Sequence, residues 1–290
     1  MVGKVHVSGI EKVDSVIREL ANFDLTVGES STEAPPSRYL EGHRHEYVRT
    51  VQDVVRARPV CDGRPRVLEI GAFFGVVSIA LSRLGYDVTA ADIPEFIEIP
   101  EQVARYARDG VTTKGLRLEE LRLPIEDENF DVVIMCEVLE HLNFNPLPLL
   151  KEINRILVPG GIFYLSLPNF ARTKNRMLVL RGRAPGIEVE EFFDQLNPAH
   201  PLVANGHWRE YTMGEIRKML EPLGFKIDRH YYFSFGETQQ GGSIRKGLGR
   251  LFYRMFPSLK ENQTAIAIRE RRTEIKFTIP STVHPSLTSL

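Results

Sequence analysis

Residues 66–92 constrain this chain more than any other stretch. RVLEI is a short apolar run of strand character, and Gly71-Ala72-Phe73-Phe74-Gly75 follows it directly. VVSIALSRLG then reads as a helix and YDVTAAD as a second strand. A turn from buried strand into helix needs glycine where the backbone is tight or must approach a ligand. The helix that follows offers free backbone N–H groups to polar or anionic groups. The second strand ends in Asp92, a carboxylate able to accept hydrogen bonds from both hydroxyls of a ribose. Singly, Gly71 and Gly75 would only close a turn, and Asp92 would only cap a loop. Their joint spacing specifies a nucleoside-containing cofactor.

The same alternation continues downstream. FDVVIMCE is a strand, LPLLKEINRIL a helix, and IFYLSLP a strand after a PGG turn. TMGEIRKMLEPLG, FKIDRHYYF and QTAIAIRE add a helix and two strands. Buried runs alternating with helices predict an α/β fold with a mostly parallel sheet and helices on both faces. Before this domain, Ile10, Val13, Ile17 and Leu20 share one helical face, and residues 39–56 form a second helix candidate. A polar, proline-marked linker, VGESSTEAPPSRY, separates the two. The expected organisation is an N-terminal helical cap or lid over residues 1–58 and an α/β domain over 59–271. Insertions fall at about 170–206 and 234–262, and a loose tail at 272–290.

The glycine spacing narrows the cofactor. A dinucleotide site wants G-x-G-x-x-G, and Phe73 stands where its second glycine would be. The run E-x-G-x-x-x-G with its downstream acid resembles the first two motifs of the class I S-adenosylmethionine-dependent methyltransferases. LPIEDENFDVVIMCEVLEHL, LLKEINRILVPGGIFYLSLPN and HWREYTMGEIRKMLEPLGF resemble the later motifs of that superfamily in the same order. The resemblance implies a Rossmann-like, seven-stranded sheet and S-adenosyl-L-methionine as cofactor. It implies that Gly71 and Gly75 shape the loop under the methionine part and that Glu69 orients that loop near the amino group. Asp92 would bind the ribose, Ile93 would pack on the adenine, and Glu119 would stand where an acid touches the adenine amino group. Cys136 and Glu137 would end the fourth strand beside the methionine part. Phe73 departs from the commoner glycine, so its side chain must turn aside or wall the substrate pocket. Arg44, on the cap, is a candidate partner for the cofactor carboxylate.

Methyl transfer from a sulfonium leaves the protein with alignment, a dry site and, for a hydroxyl acceptor, a base. His207, in GHWREY, and His141, in EVLEH, are the candidates for that role. Each has a plain alternative as a loop or helix-start residue. His43 reads as a surface or lid residue. No metal site stands out: Glu126, Asp127, Glu128 and Asp131 read as solvated charge before a strand. Cys61 and Cys136 form neither a CxxC pair nor a disulfide framework, which fits a reducing, cytoplasmic setting.

Lys plus Arg number 37 against 38 Asp plus Glu, which argues against a globally basic nucleic-acid binder. The first insertion carries Arg172, Lys174, Arg176, Arg181 and Arg183 with no acid among them. Over 242–255, Ile244, Leu248, Leu251, Phe252 and Met255 share a helical face, with Arg245, Lys246, Arg250 and Arg254 around it. A basic amphipathic helix suits an anionic membrane surface or a lipid carrier, and equally an ordinary helix packed on a core. The expected acceptor is a small molecule, foremost a saccharide hydroxyl on a glycan or lipid-linked precursor. A quinone-like lipid is the alternative enzyme substrate, and a non-catalytic cofactor-binding partner the alternative of another class.

Overall fold

The computed structural model describes residues 2–21, 36–61, 63–120, 122–190, 206–234 and 244–276. Most of the polar linker and residues 277–290 of the expected tail lie outside these. So do most side chains of the first two turns of the basic helix near the C-terminus.

Seven strands form one sheet: β1 (Arg66–Ile70), β2 (Asp87–Asp92), β3 (Thr112–Gly115), β4 (Phe130–Cys136), β5 (Leu157–Pro168), β6 (Phe225–Phe233) and β7 (Asn262–Arg269). Their order is β3-β2-β1-β4-β5-β7-β6. The first five pair in parallel, and β7 runs antiparallel between β5 and β6. Parallel strands with both faces covered read as continuous apolar runs, which is why β1 and β4 were legible. β3, with the sequence TTKG, is polar and largely uncovered, so it carries no such signal.

Alternate residues of each strand enter two cores. Val67, Val88, Val132, Ile134 and Tyr164 pack with α1 (Val2–Leu20), α2 (Pro36–Ala57) and α3 (Val76–Arg83). Leu68, Ile70, Val133, Met135 and Phe163 pack with α6 (Leu147–Ile156) and α8 (Met213–Leu220) on the other face. The N-terminal helices therefore belong to the first core: Val13, Ile17, Leu20, Leu40 and Val51 are all buried in it. Arg83 at the end of α3 donates to Glu19 and Asp109, and Tyr231 and Arg229 of β6 reach Asp53, so charged contacts also tie α1 to α3 and α2 to the sheet.

Two short helices, α4 (Pro94–Ile97) and α5 (Pro100–Arg108), follow β2. The expected PGG turn lies inside β5. There Gly160 takes φ 72° and the register slips between the Phe130–Leu157 and Val132–Ile162 pairs. After β5 come α7 (Thr173–Leu180) and, between β6 and β7, α9 (Ile244–Met255).

Candidate active site

β1, β2 and β4 end together, and a cavity of about 600 Å³ opens there. Its floor is backbone. Gly71 and Gly75 sit at φ 76° and 74°, the left-handed region that costs other residues steric strain. A Cβ at Gly71 would run into Val138, and one at Gly75 into the ring of Tyr106. Tyr106 in turn donates to the Phe73 carbonyl at 2.9 Å, and Arg105 donates to the Phe74 carbonyl at 2.7 Å. The loop is thus clamped from below by α5, a helix the sequence reading did not connect with it.

Asp92 closes the floor. Its carboxylate accepts from the backbone N–H of Phe73 at 2.9 Å and of Ile93 at 2.8 Å. Burial pushes its pKa up, against those two hydrogen bonds. Phe73 occupies the left-handed region at φ 44° without being glycine. Its ring packs against Phe74, Phe96 and Tyr39, with centroids 3.8, 5.3 and 5.6 Å away. The side chain therefore walls the cavity, and Ile93 borders it half-exposed.

Glu69 is buried and accepts from the Ser78 hydroxyl. Burial pushes its pKa up to about 8, and nearby Asp92 adds to the shift. Cys136 and Glu137 line the same cavity. Burial, with Glu46 and Glu69 nearby, holds the Cys136 thiol well above its ordinary pKa, so the thiol stays protonated. The carboxyl of Glu137 is likewise raised by burial and by Glu46 and Glu140. Glu137 also adopts φ 52°, and its Oε1 is buried without a hydrogen-bond partner.

Two expected cofactor contacts lie elsewhere. Arg44 makes a bidentate pair with Asp14, at 2.6 and 2.8 Å, and does not line the cavity. A guanidinium on α2 meets the first carboxylate that matches its fork, and α1 supplies one. Glu119 is exposed, and Leu116 and Leu118 take the cavity face of that segment. In their place α2 contributes Tyr39, His43, Glu46, Tyr47 and Thr50 to the lining. Glu46, Tyr47 and Thr50 went unread because on a helix a cavity face looks like any other half-buried face.

His141 and His207 come together at the mouth, ring centroids 4.8 Å apart and edge-on. Burial, and then the neighbouring His207, push the His141 pKa down to about 4. His207 Nδ1 lies 3.1 Å from Glu210 Oε1. Arg172 and Asn175 donate to the same carboxylate at 2.5 and 2.7 Å. Burial would raise the Glu210 pKa, but His207, Arg172 and Asn175 together lower it. His207 also borders a second hollow of about 430 Å³, lined by Phe170, Trp208, Arg209, Glu210 and Glu215.

A methyltransferase-domain family matches residues 40–230. The chain belongs to the class I S-adenosylmethionine-dependent methyltransferases. A probable S-adenosylmethionine-dependent methyltransferase of Mycolicibacterium smegmatis is 30% identical over 63% of this chain and 63% of its own length. A ubiquinone biosynthesis O-methyltransferase of Xanthomonas campestris is 34% identical over 40% of this chain and 48% of its own. The chain thus matches about half to two thirds of the length of these relatives. The methyltransferase in complex with the Trm112 activator of Haloferax volcanii shares the fold. It aligns at a TM-score of 0.54 and 16% identity over 80% of this chain and 93% of that one.

The floor fits the cofactor of this family. Glycine at 71 and 75 lets the loop lie close over Val138 and Tyr106, and Asp92 keeps lone pairs beyond its two backbone bonds. Glu69 offers a carboxylate to a positively charged ligand. When bound, S-adenosylmethionine supplies a methyl group on a cationic sulfur that becomes a neutral thioether on transfer. The chain's own part is to hold, orient and dry the site and to receive the acceptor.

Proposed function

We propose that this methyltransferase methylates oxygen and that its acceptor is a saccharide hydroxyl on a glycan or lipid-linked precursor. The observation that carries the reading is the position of His207, which borders both the cofactor cavity and the second hollow. With Nδ1 committed to Glu210, its Nε2 is left for an entering oxygen. A free imidazole there takes the hydroxyl proton as the oxygen–carbon bond forms. The hollow offers Trp208 as a flat apolar face and Arg209, Glu210 and Glu215 as polar edges, a combination suited to a sugar.

A lipid-linked acceptor is supported by the outer surface. Tyr253 of α9 reaches Thr173 of α7, and both helices expose large apolar side chains: Val179, Leu180, Leu251, Phe252 and Met255. Lys174, Arg176, Arg181 and Arg254 are exposed beside them. Such a face suits an anionic lipid surface. No helix among the described residues is long and apolar enough to cross a membrane. A second reading, a quinone-like lipid acceptor, is favoured by the relatives named for ubiquinone biosynthesis and by the rings of Tyr39, Phe73 and Phe74 in the cavity wall.

Product mass spectrometry with sugars, lipid-linked saccharides and quinols as acceptors tests both readings. A saccharide product heavier by one CH2 and methylated on oxygen supports the first, and a methylated quinol the second. Cofactor binding with no turnover on any acceptor class would instead favour a non-catalytic partner.

A further inference from the structure

Glu140, His141 and His207 bring one ligand atom each within 4.8 Å of one another, although the third lies far from the other two in sequence. Two observations separate this cluster from an ordinary polar patch. Glu140 is completely buried, yet neither carboxylate oxygen has a hydrogen-bond partner. Burying polar groups without partners is costly, and a cation that accepts their lone pairs removes the cost. Second, His207 is already oriented as a metal ligand would be. Its Nδ1 is 3.1 Å from Glu210, whose carboxylate is fixed by Arg172 and Asn175. A carboxylate on the far nitrogen sets the tautomer that leaves Nε2 as a lone-pair donor.

We propose that Glu140, His141 and His207 form a binding site for a divalent transition-metal ion at the mouth of the cofactor cavity. Two imidazoles and one carboxylate suit zinc, cobalt, iron or manganese better than magnesium or calcium, which prefer all-oxygen cages. Donors about 2.1 Å from a tetrahedral ion stand roughly 3.4 Å apart. The His141 Nε2 to Glu140 Oε1 separation is 3.9 Å and no two of the three donors are more than 4.8 Å apart, so loading asks the side chains to draw together by about 0.5–1.4 Å. Three protein ligands leave a position open toward the cavity, as catalytic metal sites do.

What that position does rests on the oxygen-acceptor reading. A hydroxyl bound there loses its proton to water more readily, since a divalent ion lowers the pKa of an oxygen ligand. The oxygen then forms its bond to the methyl carbon while the carbon–sulfur bond breaks. The electron pair goes to sulfur, whose positive charge is thereby cancelled. In the loaded site His207 is a ligand, and the ion replaces the free imidazole as the activating group.

The test uses the full chain, stripped with a chelator and titrated with Co²⁺. Calorimetry should give one ion per chain, with visible ligand-field bands of a mixed nitrogen–oxygen site. H141A and H207A, which each remove a ligand, should weaken binding by more than the about ten- to a hundredfold that loss of an outer-shell partner costs. The thermal shift with S-adenosylhomocysteine reports that each variant is folded. Absence of stoichiometric binding by the wild type, or equal binding by wild type and both variants, overturns the site. Stripped protein that methylates a hydroxyl at the full, metal-independent rate overturns the activating role while leaving the oxygen reading intact. A metal-loaded chain whose product carries the methyl on nitrogen or carbon overturns the oxygen reading and leaves the site standing.

Discussion

The two walls of the cavity are made of different material. The cofactor wall is backbone: Gly71, Gly75 and the N–H groups of Phe73 and Ile93, all locked by Asp92, Tyr106 and Arg105. The acceptor wall is side chains, with Glu46, Glu137, Glu140, His141 and His207 drawn from α2, the β4 end and the segment before α8. On the first wall the buried carboxylates of Asp92 and Glu69 both have partners within the protein. On the second, buried oxygens of Glu137 and Glu140 have no partner. A wall already satisfied binds by shape and holds its form without ligand. A wall left unsatisfied stores its demand for a proton, an ion or a substrate. Substitutions on the two sides should therefore separate binding from turnover.

The largest effect belongs to the acceptor wall. H207A should lower turnover by about 10²–10⁴-fold, because a group that manages a proton or ion at the acceptor oxygen is removed. Cofactor affinity, read by calorimetry, should stay within a few-fold, since His207 stands at the mouth of the cavity and the glycine floor is untouched. A variant that keeps near-normal turnover would place the activating group elsewhere, with His43 and Glu46 of α2 the next candidates. One that loses cofactor binding as well would erase the contrast between the walls.

Next comes Asp92. Asp92→Ala removes the acceptor for two backbone N–H groups and the carboxylate facing the cavity. A hydrogen bond to a charged group contributes about 1.5–3 kcal/mol, so cofactor affinity should fall by one to two decades. The melting temperature of the free protein should fall as well, because the Phe73 and Ile93 amides lose their acceptor. Most of the thermal shift produced by S-adenosylhomocysteine should vanish. An unchanged shift would show that this wall does not hold the cofactor.

This contrast explains what was legible in the sequence alone. Glycines, a strand end and an acid within one β-α-β unit are neighbours in sequence as well as in space, so their spacing survives in one dimension. The sheet was legible for the same reason wherever strands were buried on both faces. β3, polar and at the edge, was not. The acceptor wall depends on tertiary packing: Glu140 and His207 meet only because the chain after β5 returns past the end of β4, where the Arg209 amide donates to the Glu140 carbonyl. Two histidines far apart in sequence could be named as candidates, but a ligand set could not be composed from them. Arg44 shows the opposite failure, a fork-shaped cation without its partner in view.

A smaller effect is the pH dependence of the cofactor wall. Glu69 titrates near 8 in the folded chain against 4.5 for an ordinary carboxyl, chiefly through burial. Between those values the folded chain keeps a proton that the unfolded chain has lost. Its contribution to stability is thus complete below pH 4.5 and is lost as pH rises toward 8. A cationic ligand favours the ionised form, so affinity should rise with pH across the same window by at most about tenfold per pH unit. Asp92, Cys136, Tyr47 and Tyr106 lie close enough to Glu69 to feel its charge, and burial keeps the thiol and both phenols protonated. Calorimetry in buffers of different ionisation enthalpy should detect proton release near neutral pH. Glu69→Gln should abolish it, and release that persists in this variant would assign the proton to another group.

The smallest effects test where the cofactor wall ends. Glu119→Ala should leave cofactor affinity unchanged, since Glu119 is exposed and Leu116 and Leu118 face the cavity instead. Arg44→Ala separates stability from binding. Its bidentate bond to Asp14 joins α2 to α1, both ends being partly exposed, so the loss should be no more than about 1 kcal/mol. Asp14→Ala should match it, and the double variant should cost little beyond either single one, because both remove the same pair. Cofactor affinity should remain within error in all three. A tenfold loss in Arg44→Ala but not in Asp14→Ala would mean that Arg44 leaves Asp14 for the ligand, which would extend the cofactor wall onto α2.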